Sequence, residues 1–205
     1  METRELAPEC LLSVQPGAVV VTPSEFEEAW AAMAKPHTFM GKQVHRRQQT
    51  FGARYAFVGD GGSPRPSAIS SAPELVQACV PVARRCAAAL GHPDWRPDFV
   101  HVNWYPGGTA GIASHQDDEP GLQSGAPIFS FTFLGRDTAP RIFRIRRAKT
   151  GPALLDLTPG HGDMIVMHGS DFQSTLWHEV PKTVAAPARK GRRINVTIRA
   201  AAHAQ

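Results

Sequence analysis

Several features that would narrow the field are scarce or missing here. There are 3 cysteines in 205 residues, Cys10, Cys79 and Cys86. An odd number without metal-ligand spacing excludes a disulfide framework and a thiolate zinc site, so all three are expected as reduced thiols. No apolar run approaches the roughly 18 residues that a membrane-spanning helix needs. The opening residues, Met1-Glu2-Thr3-Arg4-Glu5, lack a basic region followed by an apolar one, so no signal peptide is expected. Internal repeats and low-complexity linkers are absent. Charge of one sign is not dominant either: 22 Lys and Arg against 18 Asp and Glu leave a net +4, which permits a polyanionic partner without requiring one. With 42% apolar residues the composition is that of a soluble globule. The length suits one domain spanning 1–205. The expectation is an intracellular protein, cytoplasmic or nuclear, with no membrane association and a monomer as the default state.

What is present concentrates between Asn103 and Glu119. His115 and Asp117 are two apart, and in a strand such residues project to one face. With a second imidazole they would form the two-His-one-carboxylate set of a non-haem Fe(II) oxygenase, which leaves positions open for co-substrate and O2. Three histidines compete for that place. His178 lies in a short apolar segment stopped by Pro181, His161 in a Pro-Gly-His-Gly turn, and His168 at the end of an apolar strand. His45, His101 and His203 have no partner at ligand spacing.

The segment 193–199 alternates strictly. Arg193, Asn195, Thr197 and Arg199 share one face, and Ile194, Val196 and Ile198 the other. Alone, that pattern fits an edge strand with a solvated polar face. Beside the His-x-Asp pair, two guanidinium groups and an amide on one face read as a clamp for a dicarboxylate. In an Fe(II) oxygenase the dicarboxylate is 2-oxoglutarate.

These motifs resemble those of the AlkB-type Fe(II)/2-oxoglutarate dioxygenases, which repair alkylated nucleic acids. The matching residues are Asn103-x-Tyr105, His115-x-Asp117-x-Glu119, the distal His178, and Arg193-x-Asn195-x-Thr197-x-Arg199, in order and over roughly residues 36–200. Asp163, after Gly162, looks like the family's Gly-Asp strand start. The resemblance selects His178 over its rivals, because the family's distal histidine precedes the first clamp arginine by about the 15 residues that separate His178 from Arg193 here. It implies iron bound by His115, Asp117 and His178. It places Arg193 and Tyr105 at the distal carboxylate of 2-oxoglutarate, Arg199 and Asn103 at the keto end, and Asn195 in the same pocket. Glu119 would accept hydrogen bonds from the damaged base at the rim, and Asp118 would hold a nearby basic side chain or help to read the base.

Periodicity and caps predict an α+β, mostly β chain, with N-terminal helices first and strands after them. The Ser24-x-x-Glu27 spacing predicts a helix running to about Lys35, and Ser71-x-x-Glu74 a second one ending before Gly91, with Pro81 kinking or splitting it. Strands are expected at 99–105, 111–115, 128–134, 141–147, 153–157, 163–168, 175–180 and 192–199. About eight short antiparallel strands fit a jelly roll, the double-stranded β-helix that the resemblance also implies, with its catalytic core at about 99–200. The Gly-, Ser- and Pro-rich stretch 59–71 is expected to be a loop.

Residues of about 36–70 carry basic and aromatic side chains interleaved. Tyr55 and Phe57 alone would be core packing, whereas beside Lys42, Arg46 and Arg47 they read as stacking groups among phosphate contacts. The segment resembles the nucleotide-recognition lid of the duplex-DNA branch of the family. Phe39 or Met40 would be the wedge that enters the helix, and Tyr55 and Phe57 would stack on the flipped base. The implied activity is oxidative demethylation of 1-methyladenine and 3-methylcytosine in DNA, and secondarily RNA, using Fe(II), 2-oxoglutarate and O2 and releasing formaldehyde, succinate and CO2. Two other readings stay open: the same chemistry on N6-methyladenine in RNA, a protein or a small molecule, and a non-catalytic binding module.

Overall fold

The computed structural model describes residues 1–39, 42–53, 67–183 and 191–202, with only the backbone of 37, 39, 42 and 43. In chain order the elements are β1 (Glu2–Ala7), β2 (Cys10–Gln15), α1 (Pro23–Ala31), β3 (His37–Phe39), β4 (Lys42–Val44), β5 (Arg47–Gly52), α2 (Glu74–Ala89), β6 (Phe99–Tyr105), β7 (Ile112–His115), β8 (Ile128–Leu134), β9 (Phe143–Arg146), β10 (Leu155–Leu157), β11 (Asp163–His168), α3 (Phe172–Thr175), β12 (Trp177–Val180) and β13 (Arg193–Arg199). A 3-10 turn at Ile69–Ser71 precedes α2.

Two antiparallel sheets form a jelly roll. The larger has the order β1-β2-β11-β8-β13-β6-β5, and the smaller β10-β9-β12-β7. The alternation of 193–199 thus belongs to a central strand between β8 and β6, not to an edge, and every residue of β13 is buried. Its apolar face (Ile194, Val196, Ile198) joins Val102, Trp104, Phe129 and Phe131 in a core closed by Phe26 of α1 and by Leu75, Val76, Cys79 and Ala83 of α2. A second core fills the space between the sheets, with Ile128, Phe143, Ile145, Ile165 and Met167. Helices on one face and a second sheet on the other leave the polar face of β13 enclosed.

Three expectations are corrected. The chain does not begin with helices, because β1 and β2 form a hairpin that extends the large sheet through β2–β11 pairing. Helix α1 starts two residues earlier than Ser24 suggests: Thr22 is the cap, its side chain and backbone exchanging hydrogen bonds with Glu25, and the helix ends at Ala31. Helix α2 runs through Pro81 unsplit, held by a buried stripe of Leu75, Val76, Cys79, Ala83 and Ala87. Cys10, Cys79 and Cys86 are free thiols. No helix among the described residues is long and apolar enough to cross a membrane.

The Gly-Asp motif at the start of β11 is structural. Gly162 has φ +80, and a Cβ there would lie 2.3 Å from the Val19 carbonyl oxygen. The Asp163 carboxylate accepts from the N–H groups of Gly17 and Gly160 at 3.0 and 2.6 Å. Gly162→Ala is therefore expected to cost about 1–3 kcal/mol, through backbone strain and that clash. Urea unfolding measures it; an unshifted midpoint would mean that the Val19 segment moves aside freely.

Candidate active site

Pairing of β12 with β7 sets His178 directly opposite His115. Their rings lie 4.2 Å apart, centroid to centroid. Asp117 joins them by a different route from the expected strand alternation, because β7 ends at His115. Its carboxylate is fixed instead by Arg199, whose Nη2 donates to Oδ1 at 2.6 Å. That leaves Oδ2 facing His178 Nε2 at 3.6 Å, too far for a hydrogen bond. One ligand atom from each of His115, Asp117 and His178 lies within 4.8 Å of the others, the one such trio among the described residues.

The electrostatics suit a cation. Burial alone would raise the Asp117 carboxyl, but the Arg199 guanidinium, with His178 and His115, overrides it and holds the group well below the usual carboxylate range. Burial pushes the His178 imidazole down to about 3, aided by His115 and Arg199 and opposed by Asp117. The ring is thus neutral, the form that ligates metal. His115 Nδ1 faces the Ala113 carbonyl oxygen at 2.9 Å, so Nδ1 carries the proton and Nε2 the lone pair. Asp117 Oδ2 and His178 Nδ1 are buried without a hydrogen-bond partner. Two imidazoles, one carboxylate and an orphaned oxygen between them fit a divalent iron ion with open positions.

Polar side chains continue from this trio across the large sheet. Registers align Thr50, His101, Thr197 and Ser130 in one row, and Gln48, Asn103, Asn195 and Thr132 in the next. Arg193 lies opposite Tyr105 in a third. Asn195 Nδ2 donates to Ser130 Oγ at 2.9 Å and to the Phe131 carbonyl at 2.7 Å, and Asn195 Oδ1 accepts from Thr197 Oγ1 at 3.2 Å. Arg193 Nη2 donates to Thr132 Oγ1 at 3.0 Å, while its Nε and Nη1 have no partner. These orphaned donors, buried beside Tyr105, fit one carboxylate of a dicarboxylate.

A cavity of about 60 Å³ opens among these groups. That is several times the ~10–15 Å³ a single water needs. His115, Asp117, His178, Asn103, Tyr105, Asn195, Arg199 and Glu119 all line it. Arg193 stands behind Tyr105 instead, its guanidinium carbon 4.9 Å from the ring centroid. Glu119 keeps one buried carboxylate oxygen without a partner, whereas Asp118 is exposed.

Arg46 departs from its expected place at the phosphates. It turns inward, lines the cavity and donates to Asn103 Oδ1. The reason is parity: Gln48 and Thr50 of β5 face the row of Asn103 and His101, and Arg46 continues that inward face. His101, set aside for want of a ligand partner, proves to be a buried cavity residue, its Nδ1 2.9 Å from Thr50 Oγ1. The usable signal was its place two residues before Asn103. The rivals of His178 have structural roles. His161 Nδ1 accepts from the Leu134 N–H at 3.1 Å, and His168 Nε2 sits 2.8 Å from Ser13 Oγ. In the proposed recognition segment, β3 and β4 pair with Phe39 opposite Lys42. The side chains of those two, and Met40, Tyr55 and Phe57 entirely, lie outside the described residues.

The comparisons with known proteins agree with this geometry. A family model described as the 2OG-Fe(II) oxygenase superfamily matches residues 24–199. The alpha-ketoglutarate-dependent dioxygenase AlkB of Escherichia coli (strain K12) is 35% identical over 132 residues, 63% of this chain and 57% of that protein. This chain therefore spans little more than half the length of that relative. The DNA oxidative demethylase ALKBH2 of Mus musculus is 31% identical over 192 residues, 85% of this chain and 70% of the relative. Its Homo sapiens counterpart is 32% identical over 190 residues, with 85% and 64% covered. The solved structure of OsALKBH1 superposes with a TM-score of 0.62 at 17% identity, over 97% of this chain and 100% of the other, a likeness of fold.

Proposed function

The chain belongs to the 2OG-Fe(II) oxygenase superfamily as an AlkB-type member, and from that membership we propose that it demethylates N-alkylated nucleobases, such as 1-methyladenine and 3-methylcytosine, in DNA and secondarily in RNA. Iron(II), 2-oxoglutarate and O2 are the metal and co-substrates of this family. The observation that carries the reading is the His115–Asp117–His178 trio, with Asp117 and His178 buried, joined through Arg199 to a cavity with orphaned donors behind it.

The metal, when bound, would let O2 act as the oxidant, with two electrons drawn from decarboxylation of 2-oxoglutarate and two from the N-methyl group: an N-methyl group, O2 and 2-oxoglutarate give the free N–H, formaldehyde, succinate and CO2. The chain's own groups do the placing. His115, Asp117 and His178 would hold the iron. Arg199 would keep the Asp117 carboxylate ionised and oriented, and with Asn103 would face the keto-acid end of the co-substrate. Asn195, locked by Ser130 and Phe131, would shape the pocket floor, while Arg193 and Tyr105 would take the distal carboxylate. The base would be read at the mouth of the cavity. There the orphaned Glu119 oxygen is suited to accept from an exocyclic amine. One dioxygenase domain, with residues of about 36–70 as the recognition lid, completes the proposal.

Mass spectrometry of methylated DNA and RNA oligonucleotides, single- and double-stranded, tests it. Loss of one CH2 per lesion, dependent on iron and 2-oxoglutarate, is the expected result. No loss on any of them, from protein shown to bind both metal and co-substrate, would overturn the nucleobase assignment and leave the oxygenase chemistry standing.

A further inference from the structure

Arg141, just ahead of β9, is a buried cation with no part in the roles above. It is 6% exposed. Its Nη1 donates to the carbonyls of Gly107 and Ala110 at 3.2 and 2.6 Å, and Nη2 to that of Pro181 at 2.5 Å. Nε has no partner. Its guanidinium carbon lies 5.8 Å from the Tyr105 ring centroid, the same ring that Arg193 approaches to 4.9 Å. Two buried guanidinium groups thus flank one tyrosine, and among the described residues neither makes an ion pair with a carboxylate. Burial lowers the pKa of both, and Arg193 lowers that of Arg141 further.

Burying an ion without a counter-charge is costly, and burying two like charges near each other more so. Three carbonyl dipoles and a ring quadrupole offset part of that cost for Arg141. The negative charge that would balance the pair is not supplied by the described residues. A ligand carboxylate near Tyr105 would supply it.

We propose that Arg141 is a positioning residue for the distal carboxylate of the co-substrate. It ties the 107–110 segment and Pro181 against Tyr105, and adds a second positive charge behind the Tyr105–Arg193 subsite. The consequence is selectivity: a dicarboxylic 2-oxo acid is preferred over one lacking the distal carboxylate. This rests on 2-oxoglutarate being held at the Arg193–Tyr105 end of the cavity, as proposed above.

Calorimetric titration of Mn(II)-loaded protein tests it without turnover. The probes are 2-oxoglutarate and 2-oxobutanoate, which keeps the keto acid and lacks the distal carboxylate. Arg141→Gln is expected to weaken 2-oxoglutarate binding roughly tenfold, as removal of one nearby charge implies, and to leave 2-oxobutanoate binding unchanged. Arg141→Lys, which keeps the charge, should retain the preference for the dicarboxylate. Equal weakening of both acids would reduce Arg141 to a loop tie and overturn the inference, as would no weakening of either. Should Arg141→Gln fail to fold, the lysine variant decides: a preserved preference supports the charge role and a lost one overturns it. Wild-type protein that binds 2-oxobutanoate as well as 2-oxoglutarate would overturn the inference directly. Wild-type protein that binds neither would overturn the co-substrate placement beneath it, and would do so before any substitution is made.

Discussion

His178→Ala or Asp117→Ala should leave a protein that neither retains stoichiometric iron nor turns over. The trio offers three protein ligands within 4.8 Å, and no other trio exists among the described residues to take over. His161 and His168 are committed to Leu134 and Ser13. Changing a residue that orients a metal's ligand commonly costs about 10–100-fold, and loss of a direct ligand should exceed that. Neither change opens a large void, but Asp117→Ala also strands the Arg199 charge in a buried pair at about 3–5 kcal/mol, so His178→Ala is the cleaner test of the ligand set. Metal analysis of purified variants beside a succinate assay checks the expectation, with circular dichroism confirming the fold. Iron content and turnover near wild type in either variant would sink the ligand assignment.

Arg199→Gln should strike both stability and co-substrate binding. Arg199 and Asp117 form a 2.6 Å ion pair, with side chains 7% and 2% exposed. Removing one member of a buried pair strands the other charge, at a cost of about 3–5 kcal/mol. The same change takes a guanidinium from the cavity wall, so 2-oxoglutarate affinity should fall as well. A second substitution separates the two effects. Asp117→Asn in the Arg199→Gln background removes the stranded charge, so the double variant should recover much of the lost stability while staying inactive. Urea unfolding of the four proteins gives the coupling directly. Strictly additive losses would mean that the pair does not act as a unit in the folded protein.

Some elements were plain from the residues, and others were hidden for identifiable reasons. The strands 99–105, 128–134 and 163–168 were legible to the residue, being apolar runs bounded by Pro and Gly. The N-terminal hairpin was not. Strand β1 is a charged edge strand, Glu2-Thr3-Arg4-Glu5, whose exposed pattern carries no core signal of its own. It forms because β2 finds an antiparallel partner in β11, some 150 residues on. The capping box was displaced by two residues because Thr22-Pro23-Ser24-Glu25 offers two overlapping cap candidates, and the Pro23 at the first helical position favours the earlier one. His101 was set aside for want of a ligand partner, and Arg141 sits at no motif spacing. Each acquires its place from a neighbour remote in sequence.

From the sequence alone came the identity of the groups that would meet iron and co-substrate, and the shared faces of Asn103 with Tyr105 and of Arg193 through Arg199. The shared faces follow from the two-residue period of a strand, which is local physics, whereas the choice of His178 and the roles came from the family resemblance. The tertiary structure decided how the groups are held. It set His178 opposite His115 through cross-strand register and fixed Asp117 through Arg199, beyond the end of the strand that was expected to aim it. It also turned Arg46 inward and buried the polar face of β13 between two sheets. Register and burial depend on which strands become neighbours, and that is settled by closure of the whole barrel, which no local period encodes.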